Sequence, residues 1–94
     1  MAAKTTTDAA LGDLRELLAV NDRALLDVVN RRLELVRRIK ERKAELGVAF
    51  VDPEREAWLL DFLQRANDGP LSDEGLRELL TTVLALTKHE LANQ

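Results

Sequence analysis

The residues of this chain best suited to chemistry are cations set into an apolar pattern. Arg32 occupies a position in a long hydrophobic repeat that Leu or Val would ordinarily fill. Lys43 stands eleven residues further on, which on an α-helix is about 1100° and brings it within about 20° of Arg32. The two side chains then leave one face about 16 Å apart, with Val36 and Ile39 between them. Leaning toward each other, they enclose a gap of small-molecule size. Cations on an apolar face are costly to desolvate without carboxylate partners, so an anionic ligand is a natural neutraliser. A plainer reading stands beside this one: Arg32 pairs with an acid from another helix and Lys43 is solvated. Arg55 is a further anomaly. It is the third residue of a helix opened by Asp52-Pro53, where the dipole disfavours a cation and Glu is usual. Glu56, taken alone, is a first-turn acid favoured by that dipole, and Arg15 reads as a solvated surface residue.

Composition closes off most other chemistry. The chain contains no cysteine, which excludes disulfides, thiolate metal sites and Cys nucleophiles. A single histidine, His89, leaves no second imidazole for a His-based zinc site. The lone serine, Ser72, makes a Ser–His hydrolase a poor fit. No metal and no cofactor is implied, and the work falls to Arg, Lys, Asp, Glu and hydroxyl groups. A net charge of −3 gives no global pull toward nucleic acid or an anionic membrane. Residues 31–43 do carry seven Lys or Arg against two Glu, the density of a nucleic-acid-binding helix. Leu33, Leu35, Val36 and Ile39 interleave with those cations, however, and no aromatic residue is present in the run for base stacking. Nucleic acid is therefore not the expected partner. The opening MAAKTTTDAA lacks an apolar core of signal-peptide length and no stretch approaches a membrane span, so the expected setting is cytoplasmic, without a membrane partner.

Three helices must position these groups. Residues 1–10 are small and polar and read as a disordered tail. From Leu11 a 3–4 spacing runs through Leu14, Leu18, Asn21, Leu25, Val28, Arg32, Leu35, Ile39, Arg42 and Leu46. This predicts one long helix over roughly 11–45. Asp52 as cap and Pro53 as first residue open a second, with Leu59, Leu60, Phe62 and Leu63 as its buried stripe and Trp58 alongside. Ser72 caps a third, with Asp73 and Glu74 in its first turn and a stripe of Leu76, Leu79, Leu80, Val83, Leu84, Thr87 and Leu91. The fold class is all-α. A 35-residue helix is about 52 Å long, against a diameter of roughly 30 Å for a compact globule of this size. The first helix therefore overhangs any monomeric core with its apolar seam intact. A second copy is the simplest cover, giving an intertwined homodimer.

The run LRELLAVNDRALLDVVNRRLELVRRIKERK, followed by VDPERE and the short GPLS turn, resembles the all-helical class of chorismate mutase, from Asp13 to about Leu91. The resemblance implies an isomerase of aromatic amino-acid biosynthesis in the shikimate pathway, converting the dicarboxylate chorismate to prephenate in an intertwined dimer of three-helix protomers. Arg32 matches the arginine that holds a substrate carboxylate within its own protomer. Lys43 matches the lysine that donates to the ether oxygen and a carboxylate. Arg15 matches an arginine arriving from the partner protomer; it stands about 25 Å along the helix from Arg32, too far for one intramolecular site. Asp52, Arg55 and Glu56 match the loop and helix start that contact substrate, Glu56 holding the ring hydroxyl. Thr87 matches a hydroxyl near a carboxylate, although a buried Thr bonding its own helix carbonyl is an equally good account of it.

Two other functions share these features. An isochorismate–pyruvate lyase would use the same fold and electrostatics, while Asp52 and Glu56 in VDPERE favour the mutase. A helical module that senses a dicarboxylate or docks on a shikimate-pathway enzyme would bind without turnover. The chain also departs from the family pattern, which places Gln or Glu four residues after the Ser/Thr position as a second donor to the ether oxygen. Here that residue is Leu91. Loss of such a donor typically lowers the rate by about 10²–10³, so the expectation is modest activity with Lys43 as the main donor. Glu90, if protonated, Gln94, or a partner protein that reorders the C-terminal turn are the alternatives.

Overall fold

The computed structural model describes residues 8–92. Three helices follow one another, α1 (Ala9–Leu46), α2 (Pro53–Ala66) and α3 (Asp73–Leu91), with no strand among the described residues. The all-α class is the one expected. α1 starts two residues earlier than its apolar spacing, because Asp8 caps it. The Asp8 carboxylate accepts the Leu11 N–H at 3.2 Å and its carbonyl accepts the Gly12 N–H at 3.0 Å. Ala9 and Ala10, expected in the disordered tail, are thereby first-turn residues. Residues 1–7 of that tail lie outside the described residues, as does Gln94.

Gly47 ends α1. Its φ of +70° is open to a residue without a Cβ. In that conformation the Gly47 N–H reaches the Ala44 carbonyl at 3.2 Å and the Val48 N–H the Lys43 carbonyl at 3.0 Å. This pair of bonds is a Schellman closure. The next two helices start as the sequence predicts. The Asp52 carboxylate accepts the Arg55 N–H at 3.2 Å with Pro53 at the first position, and Ser72 Oγ accepts the Gly75 N–H at 3.0 Å. The intervening turn is shaped by Asn67, whose side chain accepts from the Gly69 N–H at 3.1 Å and donates to the Leu71 carbonyl at 2.8 Å.

The chain divides into a first unit ending at Glu34 and a second from Leu35 onward. Among the described residues, the first consists of Asp8 and the part of α1 up to Glu34. Its seam residues Leu14, Leu18, Leu25 and Val28 are all more than half exposed, and α1 as a whole buries no residue fully. The second unit holds the core. Leu76, Leu80, Thr87 and Leu91 of α3 are buried, and Leu59, Leu60 and Leu63 of α2 are half-buried. Lys40 ties the end of α1 into this unit by donating to the Leu91 carbonyl at 2.7 Å.

Leu79 and Phe62, expected in the buried stripes, are displaced from the core, and Trp58, expected alongside, is with them. Leu79 is half exposed because it sits about 90° around α3 from the centre of the buried edge. Trp58 and Phe62 are likewise about half exposed, on a flank of α2 about 120° from the Leu59–Leu63 face. They cover each other instead, with parallel rings whose centroids are 5.1 Å apart. No helix among the described residues is long and apolar enough to cross a membrane.

Candidate functional site

Lys43 lies in the last turn of α1, and the Schellman closure determines what it meets. The turn returns the chain over the helix end, and Phe50 lands beside two lysines. Lys43 Nζ donates to the Phe50 carbonyl at 2.9 Å and stands 6.0 Å from its ring centroid; Lys40 Nζ stands 5.8 Å from the same ring. Both lysines are half-buried. Lys43 therefore holds the turn twice, through its own carbonyl and through its ammonium. An ammonium has three donors and the Phe50 carbonyl takes one, so Lys43 is oriented while able to donate to an anion. Proximity to the negative face of an aromatic ring steadies the two cations further.

Asp52, Arg55 and Glu56 are the first residues around the start of α2. Asp52 uses its carboxylate on the Arg55 N–H. The Arg55 side chain turns onto Trp58, its guanidinium carbon 3.9 Å from the ring centroid. A cation–π contact of this kind contributes about 0.5–1 kcal/mol at an exposed site, which offsets the unfavourable dipole at this position. Glu56 is more than a first-turn acid. Its carboxylate meets Lys88 of α3 at 3.2 Å. It also edges a groove of about 210 Å³ between α2 and α3, floored by Ala57, Leu60, Leu80 and Leu84 with Arg77 on the α3 side.

Thr87 is buried, and its hydroxyl donates to the Val83 carbonyl at 2.7 Å, the within-helix bond anticipated as the alternative to a ligand role. Leu91 is the most buried side chain among the described residues at 2 % exposure, so its place is core packing. Arg15 and Arg32 fall in the first unit, Arg15 exposed, Arg32 half-buried and already engaged. Of the expected site residues, Asp52 and Arg55 meet through the cap. Lys43 and Glu56 are instead held by Phe50 and Lys88, neither of which the sequence singled out. Lys88 directly follows Thr87, and that adjacency was the one available hint.

Comparison with known proteins now decides the family. The sequence profile described as chorismate mutase type II matches residues 14–90. The chain belongs to the chorismate mutase type II family. Among curated relatives, a bifunctional chorismate mutase/prephenate dehydratase of Stutzerimonas stutzeri is 39% identical over 75 residues, 69% of this chain and 20% of its own. Its counterpart in Pseudomonas aeruginosa is 36% identical over 74 residues, again 69% of this chain and 20% of its own. The chain thus spans about a fifth of the length of these relatives. Among solved structures, the chorismate mutase of Thermus thermophilus superposes in its Form I with a TM-score of 0.80 at 31% identity, over 83% of this chain and 98% of that one. Form II gives 0.85 at 29% identity, over 90% and 97%. In this chorismate mutase type II chain the matched region includes Arg15, Arg32, Lys43, Asp52, Arg55, Glu56 and Thr87, and it stops one residue short of Leu91.

Proposed function

We propose that this chain is a chorismate mutase, converting chorismate to prephenate in the cytoplasm. The observation that carries the reading is Lys43, a half-buried ammonium oriented by the Phe50 carbonyl within a chain of this family. The rearrangement is unimolecular: the ether C–O bond breaks as a C–C bond forms across the ring, with no nucleophile, metal or proton shuttle. A catalyst has two tasks, to hold the side chain over the ring and to stabilise charge gathering on the departing oxygen. Lys43 donates to that oxygen. Arg32 grips one carboxylate bidentately, and Arg15 from a second copy supports the other end of the substrate. Glu56 accepts from the ring hydroxyl, and Asp52 and Arg55 shape the entrance.

The working form is a homodimer. Its support is the exposed apolar seam of α1, in which Leu14, Leu18, Leu25 and Val28 stand open. Loss of chorismate absorbance with appearance of prephenate, at catalytic enzyme concentration, tests the activity. Isochorismate run in parallel separates a mutase from a pyruvate lyase. Tight binding of chorismate without turnover would overturn the enzymatic reading in favour of a binding module.

A further inference from the structure

We infer that Lys88 is a positioning residue for Glu56, holding that carboxylate as an oriented acceptor for the substrate's ring hydroxyl. The inference rests on the mutase reading above and adds to it a residue that the sequence pattern did not mark.

The geometry sets this ion pair apart. Arg37–Glu41, Arg42–Glu45 and Arg65–Asp61 each join neighbours within a single helix, and their carboxylates are 61–64 % exposed. Such pairs hold nothing in place beyond their own turn. Lys88–Glu56 instead crosses from α3 to α2 at 3.2 Å, and Glu56 is only 30 % exposed. Both ends are anchored. Lys88 follows Thr87, which is buried and bonded to Val83, and lies one turn before Leu91, whose side chain is buried and whose carbonyl is held by Lys40. Glu56 sits in the first turn of α2, its own N–H bonded to the Asp52 carbonyl at 3.1 Å. A flexible glutamate is therefore stretched between two well-placed backbones.

This matters because Glu56 has few other restraints. On one side of it lies the groove floored by Ala57, Leu60, Leu80 and Leu84; its polar lining, Arg77 and Thr81, belongs to α3, and the Thr81 hydroxyl is given to the Arg77 carbonyl. Released from Lys88, the Glu56 carboxylate would turn outward to water or swing toward Arg77, and in either case leave its present direction. With Lys88 on Oε2, the other oxygen remains an acceptor in a restricted set of directions. A hydroxyl of the substrate is held in the ground state and the transition state alike, so ordering its acceptor acts on KM rather than kcat.

The test is steady-state kinetics of chorismate turnover on the full chain, in a double-mutant cycle. Lys88→Met is expected to raise KM about fivefold with kcat nearly unchanged, and Lys88→Arg to return KM to within about twofold of the parent. In a Glu56→Gln background, Lys88→Met should move KM no further. An unchanged KM in Lys88→Met would overturn the inference, leaving the pair as surface structure. A KM that rises equally in both backgrounds would overturn it too, by showing that Lys88 acts on substrate or fold independently of Glu56. If the parent chain does not turn over chorismate at all, the mutase reading falls and this inference with it. That outcome is distinct from an active parent with an indifferent variant.

Discussion

Lys43 is committed on several sides, its carbonyl to Val48, its ammonium to Phe50, with the Phe50 ring alongside. A residue so placed contributes little by way of flexible contact and much by way of orientation. Removing the ammonium should therefore act on the chemical step. Lys43→Ala and Arg32→Ala are each expected to lower kcat/KM by at least about 10²-fold, and kinetics like the parent's in either would refute the site assignment. Circular dichroism of the same preparations guards against a trivial loss of fold. Arg32 was legible in the sequence because it interrupts an apolar repeat, and Lys43 because eleven residues bring it back to the same helix face; both signals run along one dimension. Lys88 was not. Its partner is on another helix, and periodicity reports which neighbours share a face, never which faces meet. Arg55 stood out as an exception to the dipole, but only the fold supplies the Trp58 ring that accommodates it.

At the scale of elements, caps and closures follow local rules and were the most readable part of the chain. Asp52, Pro53 and Ser72 act where their side chains predict. Asp8 was missed because small residues follow it and the apolar repeat begins only later. The α1 closure leads to a clear expectation. Gly47 has open space where a Cβ would sit, so Gly47→Ala meets no clash and its effect is purely conformational. It should destabilise the protein by about 1 kcal/mol, read as a lower denaturant midpoint at unchanged m-value. Because the same turn delivers Phe50 to Lys43, a modest fall in kcat should accompany it. α3 carries the other expectation. The position at which the resemblance leads one to expect a second donor holds Leu91, and its burial shows that this residue supports the core. Leu91→Gln should therefore lower stability by about 2 kcal/mol or more, through lost packing and a buried amide, without raising kcat. A clear gain in kcat would instead mean that a missing donor limits the reaction. Which leucines of a stripe are truly central was less readable: Leu79 and Phe62 keep the right spacing but fall off the buried edge.

For the whole molecule the decisive quantity is the apolar surface that α1 leaves uncovered. Leu14, Leu17, Leu18, Leu25, Leu26 and Val28 are each more than half exposed, an apolar run that a lone soluble protomer rarely presents. Pairing with a second copy makes stability depend on concentration, so Tm should rise with protein concentration across the micromolar range. A sharp, concentration-independent transition of a monomer would contradict the dimer. The stronger test uses the division of labour between copies. If Arg15 serves the site built around the other copy's Lys43, then Arg15→Ala and Lys43→Ala each disable both sites of their own homodimer. Mixed, unfolded and refolded together, the two variants form heterodimers in which one site has lost both residues while the other has lost neither. With random pairing half the dimers are mixed, so the mixture should regain about a quarter of the parent activity per chain. Either variant refolded alone should regain none. Failure to complement, in a mixture whose heterodimers are verified by differential tagging, would place Arg15 and Lys43 in the same copy's site, whereas an Arg15→Ala dimer active on its own would put Arg15 outside the site altogether. Success would show that α1 both assembles the protein and completes its neighbour's chemistry.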